Sequence, residues 1–146
     1  GFRFTGVPFV SEAQIVSREY PFEGLRTTSR RPPSRSNYDA SVWRTLRPYF
    51  PHFLGWNCVP LHLPGTGLEA RKPSDADKEA FRVFTVKLVK VVSPRQVVAL
   101  GRDAADTLAG FGITCERVHS PVYDTRQEFP SGMRRIFEEL GCPDHP

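Results

Sequence analysis

The chain has 146 residues, 39% apolar and 12% aromatic, which suits one domain with a real core and argues against wholesale disorder. No apolar run approaches the roughly 18 residues of a membrane span, and the opening Gly1-Phe2-Arg3-Phe4-Thr5-Gly6 lacks the apolar stretch of a signal peptide, so the expected compartment is the cytoplasm, with no membrane partner. The net charge of +4 is uneven: residues 1–73 carry ten Lys/Arg against five Asp/Glu, and residues 74–146 ten against eleven. A basic half permits a polyanion partner, because Lys and Arg replace condensed counterions on phosphates; the same bias also serves solubility.

Residues 1–73 are rich in Pro and Arg and show little periodicity, so they read as loops around short elements. Short helices are expected near Ser11–Ser17 and Asp39–Leu46. Between them, Arg26–Arg35 is the clearest loop: its prolines remove backbone donors and its arginines resist burial. A short apolar strand is expected over Phe53–Leu61, ended by Pro60 and Pro64. The second half is regular. Ser74 with Asp77 three residues on resembles a capping box after Pro73, and Phe81, Phe84, Leu88 and Val91 follow helical spacing up to Pro94. Val97–Leu100 reads as a buried strand, Gly101 as the turn into a helix ended by Gly110 and Gly112, Ile113–Val118 as another strand, and Pro130–Leu140 as a last helix closed by Gly141.

Strands and helices alternating at this spacing predict an α/β domain with a mainly parallel sheet and helices on its faces. Ligands of such sheets sit beyond the carboxyl ends of the strands. Asn57 lies within or near the end of one predicted strand and His119 just past the end of another, so both could reach one crevice. Cys58, Cys115 and Cys142 are odd in number and widely spaced, without CxxC or a Cys/His cluster. They read as reduced, packed thiols, and neither a metal nor another cofactor is expected.

Three residues could carry chemistry. His119 leaves a strand into His119-Ser120-Pro121-Val122-Tyr123-Asp124, where an imidazole serves as donor, acid/base or structural tie; with no His or Cys nearby, a metal is disfavoured. Asn57 offers a donor and an acceptor that can match a Watson–Crick edge, or can tie strand to loop. Phe9, beside a Gly6-Val7-Pro8 turn, is either a stacking wall for a planar ligand or a core residue. No Walker A loop, GxGxxG, GxSxG or HExxH occurs.

Taken together, Thr5-Gly6-Val7-Pro8-Phe9-Val10-Ser11-Glu12, Ser41-Val42-Trp43, Trp56-Asn57-Cys58-Val59-Pro60-Leu61-His62, Gly101-Arg102-Asp103-Ala104 and His119 at the head of a late loop resemble the uracil-DNA glycosylase superfamily in order and spacing, over nearly the whole chain. The resemblance implies one domain over residues 1–146, a three-layer α/β/α fold around a mainly parallel four-stranded sheet. It implies a monofunctional DNA N-glycosylase of base excision repair, acting as a monomer on DNA without metal. Phe9 would stack on a flipped base, Asn57 would read its pairing edge, and His119 would donate a hydrogen bond to the leaving base. Ser120, Tyr123 and Arg126, from the loop after His119, and Arg30, Arg31 and Arg35 from the basic half would hold DNA.

Two departures from the family pattern bear on mechanism. A Gly-Glu-Ala-Pro-Gly-type segment normally precedes the stretch matching Gly1–Phe9 and helps place the attacking water; here it lies upstream of Gly1 or is missing, together with the first strand. The late loop reads His-Ser-Pro, then Val122-Tyr123-Asp124, in place of His-Pro-Ser and small residues. Asp124 would repel phosphate, and Tyr123 would act as a wedge or line a larger pocket. Uracil is the default substrate; a bulkier modified pyrimidine, such as a modified cytosine in a defence against phage DNA, is the variant the loop suggests. The alternative is a non-catalytic DNA-binding or interaction domain on the same fold.

Overall fold

The computed structural model describes residues 8–18, 22, 24–26, 37–61, 63–65, 71–122, 124, 126–142 and 144. The chain divides into two compact units, residues 1–55 with 143–146 and residues 56–142.

In the first unit, α1 (Glu12–Val16) and α2 (Asn37–Leu46) are joined to a 3-10 turn at Arg47–Tyr49. The Gln14 side chain accepts from the Ser11 backbone N–H at 2.9 Å, which starts α1 where the sequence placed it. Val10, Ile15, Phe22 and Trp43 form the core, with Phe50 and Phe53 packed against it. The Phe22 and Trp43 rings lie 4.7 Å apart and Trp43 and Phe53 5.7 Å apart, within the range of favourable aromatic pairs. The aromatics of this Pro- and Arg-rich half thus supply a core that periodicity did not reveal.

The second unit holds α3 (Asp75–Val92), β1 (Val98–Leu100), α4 (Arg102–Gly110), β2 (Glu116–Val118) and α5 (Glu128–Glu139). The α3 start is the expected capping box. Asp77 accepts from the Ser74 N–H at 2.7 Å and from its hydroxyl at 2.6 Å, and the Ser74 hydroxyl accepts from the Asp77 N–H at 3.3 Å. The Arg71 guanidinium adds two bonds to the same carboxylate, at 2.6 and 2.8 Å. Arg71 first, then Ser74, hold the Asp77 carboxyl well below the usual carboxylate range. At its other end α3 stops with Ser93 in a left-handed conformation (φ 47°) before Pro94.

β1 and β2 pair in parallel, with Val98 opposite Glu116 and Leu100 opposite Val118. A parallel pair needs a crossover, and α4 supplies it, packing on both strands. α5 packs on β2, and Gly132 permits the approach: a β-carbon there would stand 3.3 Å from Val118 Cγ1. Ala99, Val118, Phe129, Met133, Ile136 and Phe137 are all buried. α3 is tied by Trp56 Nε1 donating to Thr85 Oγ1 at 3.2 Å and by the Lys78–Asp103 ion pair at 2.8 Å. Much of its apolar surface stays open, with Val83, Phe84 and Val91 exposed.

Mixed helix and strand with a parallel pair agrees with the α/β expectation. Among the described residues the sheet has two strands. The strand expected over Phe53–Leu61 is not formed. Phe53 turns into the first unit's aromatic core, Trp56 is tied to a helix, and Leu54 and Leu61 are exposed, so the apolar residues of this segment are spent on separate contacts instead of a sheet face. Pro60 also lacks the N–H a ladder would use. No described helix is long and apolar enough to cross a membrane.

Candidate functional site

The carboxyl ends of β1 and β2 converge on two residues. Gly101, directly after β1, takes φ 93° and donates its N–H to the Val118 carbonyl at 3.0 Å. A β-carbon on Gly101 would stand 3.1 Å from Ser120 Cβ, so both the backbone angle and the contact require glycine. His119 leaves β2 here, beyond the strand ends, where open parallel sheets hold ligands.

His119 is about half exposed, at 46% of its side chain. Its Nδ1 stands 2.9 Å from the Ser120 carbonyl oxygen. A carbonyl only accepts, so in this bond Nδ1 carries the proton. Nδ1 is also 3.8 Å from Asp124 Oδ1, and Nε2 is 3.3 Å from Glu128 Oε2. One ring nitrogen of His119 and one carboxylate oxygen each from Asp124 and Glu128 lie within 4.8 Å of one another. The Ser120 hydroxyl accepts from the Val122 N–H at 3.3 Å, which shapes the turn after the histidine.

Asp124 does not face outward as a phosphate-repelling loop residue, contrary to the sequence reading. Its side chain is only 5% exposed, and its two oxygens accept from the Glu128 and Phe129 N–H groups at 3.0 Å each. It satisfies orphan donors of the first turn of α5, a position where helices favour a carboxylate. The loop carrying His119 and the helix carrying Glu128 are therefore fastened by one buried side chain. Sequence reasoning missed Asp124 and Glu128 as neighbours of His119. The available signal was His-x4-Asp-x3-Glu across a helix start, which matches no pattern built on His and Cys.

The other expected site residues fall as follows. Asn57 is half-buried in the second unit and makes no hydrogen bond with another described residue. Arg126 is exposed in the turn before α5. Phe9 belongs to the first unit. It holds φ 61°, costly for a bulky side chain, and its ring lies 6.2 Å from Tyr38 and against Gly55, where a β-carbon would stand 3.0 Å from Cδ2. Burial first, then Asp39, raise the neighbouring Tyr38 phenol to about 12. Arg30, Arg31, Arg35 and Tyr123 lie outside the described residues. The three cysteines are half-buried free thiols, and burial pushes those of Cys58 and Cys115 up.

Comparison with family models, with curated proteins and with solved structures gives no match to this chain.

Proposed function

We propose that the protein is a monofunctional DNA glycosylase, which flips a base out of DNA and hydrolyses its N-glycosidic bond to leave an abasic site. The observation that supports this reading best is His119. It is a half-exposed imidazole just past β2, next in sequence to the Ser120 that meets Gly101 at the end of β1, in a chain whose motif order resembles the uracil-DNA glycosylase superfamily. On this reading the two described strands belong to a four-stranded sheet in a three-layer fold, and the protein works on DNA as a cytoplasmic monomer.

Flipping costs a few kcal/mol, which stacking and edge recognition must return. Phe9 takes the stacking role and the Asn57 amide the pairing edge. His119 supplies the donor to the base carbonyl as negative charge develops there; a donor so placed contributes about 2.7–4 kcal/mol in comparable oxyanion sites. Because Nδ1 gives its proton to Ser120, donation from Nε2 requires the doubly protonated ring, whose charge Asp124 and Glu128 flank. Ser120, Tyr123 and Arg126, with Arg30 and Arg31, hold the DNA. Uracil is the default base, and a modified cytosine of phage DNA the bulkier alternative.

The test is abasic-site formation on uracil DNA and on modified-cytosine DNA, read by alkaline strand cleavage. Cleavage that falls about 10²–10³-fold in His119→Ala supports the proposal. DNA binding without base release from either substrate overturns it and leaves a non-catalytic DNA-binding module.

A further inference from the structure

The two carboxylates beside His119 are not equivalent. Asp124 lies against Nδ1, 3.8 Å away, with its side chain almost wholly buried. Both of its oxygens already accept helix N–H groups, from Glu128 and Phe129. Glu128 lies against Nε2, with Oε2 at 3.3 Å and its side chain half exposed. Its carboxylate accepts no hydrogen bond from another described residue, and Nε2 makes none to one. The carboxylate therefore stands beside the ring as an ion-pair partner and leaves a proton on Nε2 free to be donated. The Glu128 backbone is fastened there: it opens α5, and its N–H is held by Asp124 Oδ1 at 3.0 Å.

Nδ1 gives its proton to the Ser120 carbonyl, so a neutral ring would set the Nε2 lone pair against the Glu128 carboxylate. A proton on Nε2 turns that repulsion into attraction. The helix start acts the other way, because the first turn of α5 is the positive end of its dipole and disfavours a second cation. Asp124 offsets that end by taking up two of its N–H groups, which leaves Glu128 as the carboxylate available to the ring. We infer that Glu128 is a positioning residue for base release: its carboxylate holds the proton on His119 Nε2, from which the leaving base takes a hydrogen bond. The inference rests on the glycosylase reading above and separates two duties. Asp124 fixes the helix start, and Glu128 serves the charge of the ring.

The experiment is single-turnover base release by the full chain, on whichever of uracil DNA and modified-cytosine DNA the wild type cleaves. Glu128→Gln is compared with Glu138→Gln, an exposed carboxylate near the other end of α5 that controls for lost charge. The maximal rate should fall about 5–10-fold in Glu128→Gln, the effect of a half-exposed charge pair that DNA covers in the complex. The half-saturating protein concentration should not rise, because the lost charge repels phosphate. In the His119→Ala background the same substitution should change the rate less than about 2-fold, since the ring it acts through is gone. Loss of a first-turn carboxylate lowers the melt slightly, so rates are taken well below it, where a purely structural role leaves the maximal rate unmoved. Circular dichroism verifies that each variant is folded. An unchanged maximal rate in Glu128→Gln, an equal fall in Glu138→Gln, or an undiminished effect without His119 would each overturn the role of Glu128 while base release stands. No base release by the wild type from either DNA would overturn the glycosylase reading and this role with it.

Discussion

Asp124→Ala tests the link between the His119 loop and α5. The substitution removes both hydrogen bonds at the start of the helix. Loss of a side-chain cap costs about 1 kcal/mol. The Glu128 N–H can turn to water, but the Phe129 bond is partly buried, and Phe129 itself is fully buried. Leaving that donor unpaired adds about 1–2 kcal/mol, for a total of about 2–3 kcal/mol. Unfolding entropy of about 2.1 cal/mol/K per residue over 146 residues converts this, for one cooperative transition, to a Tm lower by about 7–10 °C. Asp124→Asn keeps one carbonyl oxygen to accept from a helix N–H and should lose less than half as much. Thermal melts by circular dichroism measure the shift, and amide exchange at Glu128 and Phe129 locates it. If Asp124→Ala melts within about 2 °C of wild type, with both amides equally protected, the side chain is not holding the helix start and the reasoning fails.

Gly101→Ala forces a β-carbon into a left-handed backbone and to 3.1 Å from Ser120 Cβ; it should cost about 1–3 kcal/mol, visible as a lower denaturation midpoint, and an unchanged midpoint would count against the tight crossing of the strand ends. The Asp77 carboxyl is depressed in the folded chain, so the stability it gives is complete above its ordinary value of 3.8 and disappears as pH falls below it through the folded value. Melts at descending pH should therefore drop more steeply in wild type than in Asp77→Asn, and parallel curves would refute this. Tyr38 titrates in the opposite sense: its phenol is raised from 10.0 to about 12, so stability should fall as pH climbs between those values. Ultraviolet titration should show a late phenol that Tyr38→Phe removes; an unchanged late phase in the variant would refute this.

The second half of the chain was legible because local signals agreed with the fold. Ser74 and Asp77 announced the start of α3, Gly101 the turn between β1 and α4, and the apolar spacing of Met133, Ile136 and Phe137 the buried face of α5. Phe53–Leu61 misled because an apolar run says that side chains want burial, not that they want it on one sheet face. Phe53 and Trp56 found separate partners. At the site, His119 was legible from its place after a strand. Its acidic neighbours were not, because their approach depends on the turn that brings the start of α5 back over the loop. Asp124 shows the difficulty: within the loop sequence it is a bare charge, and only the helix behind it explains its burial.

The open apolar flank of α3 has a practical consequence for the purified protein. Val91, 83% exposed, stands with Val83 and Phe84 on a helix whose other surface is anchored by Thr85 and Lys78. Side chains so presented make a surface that water tolerates and excluded salts do not. Sulfate should drive the chain onto a hydrophobic column or out of solution at a lower concentration than a variant with Val91→Lys, while the two melt alike in dilute buffer.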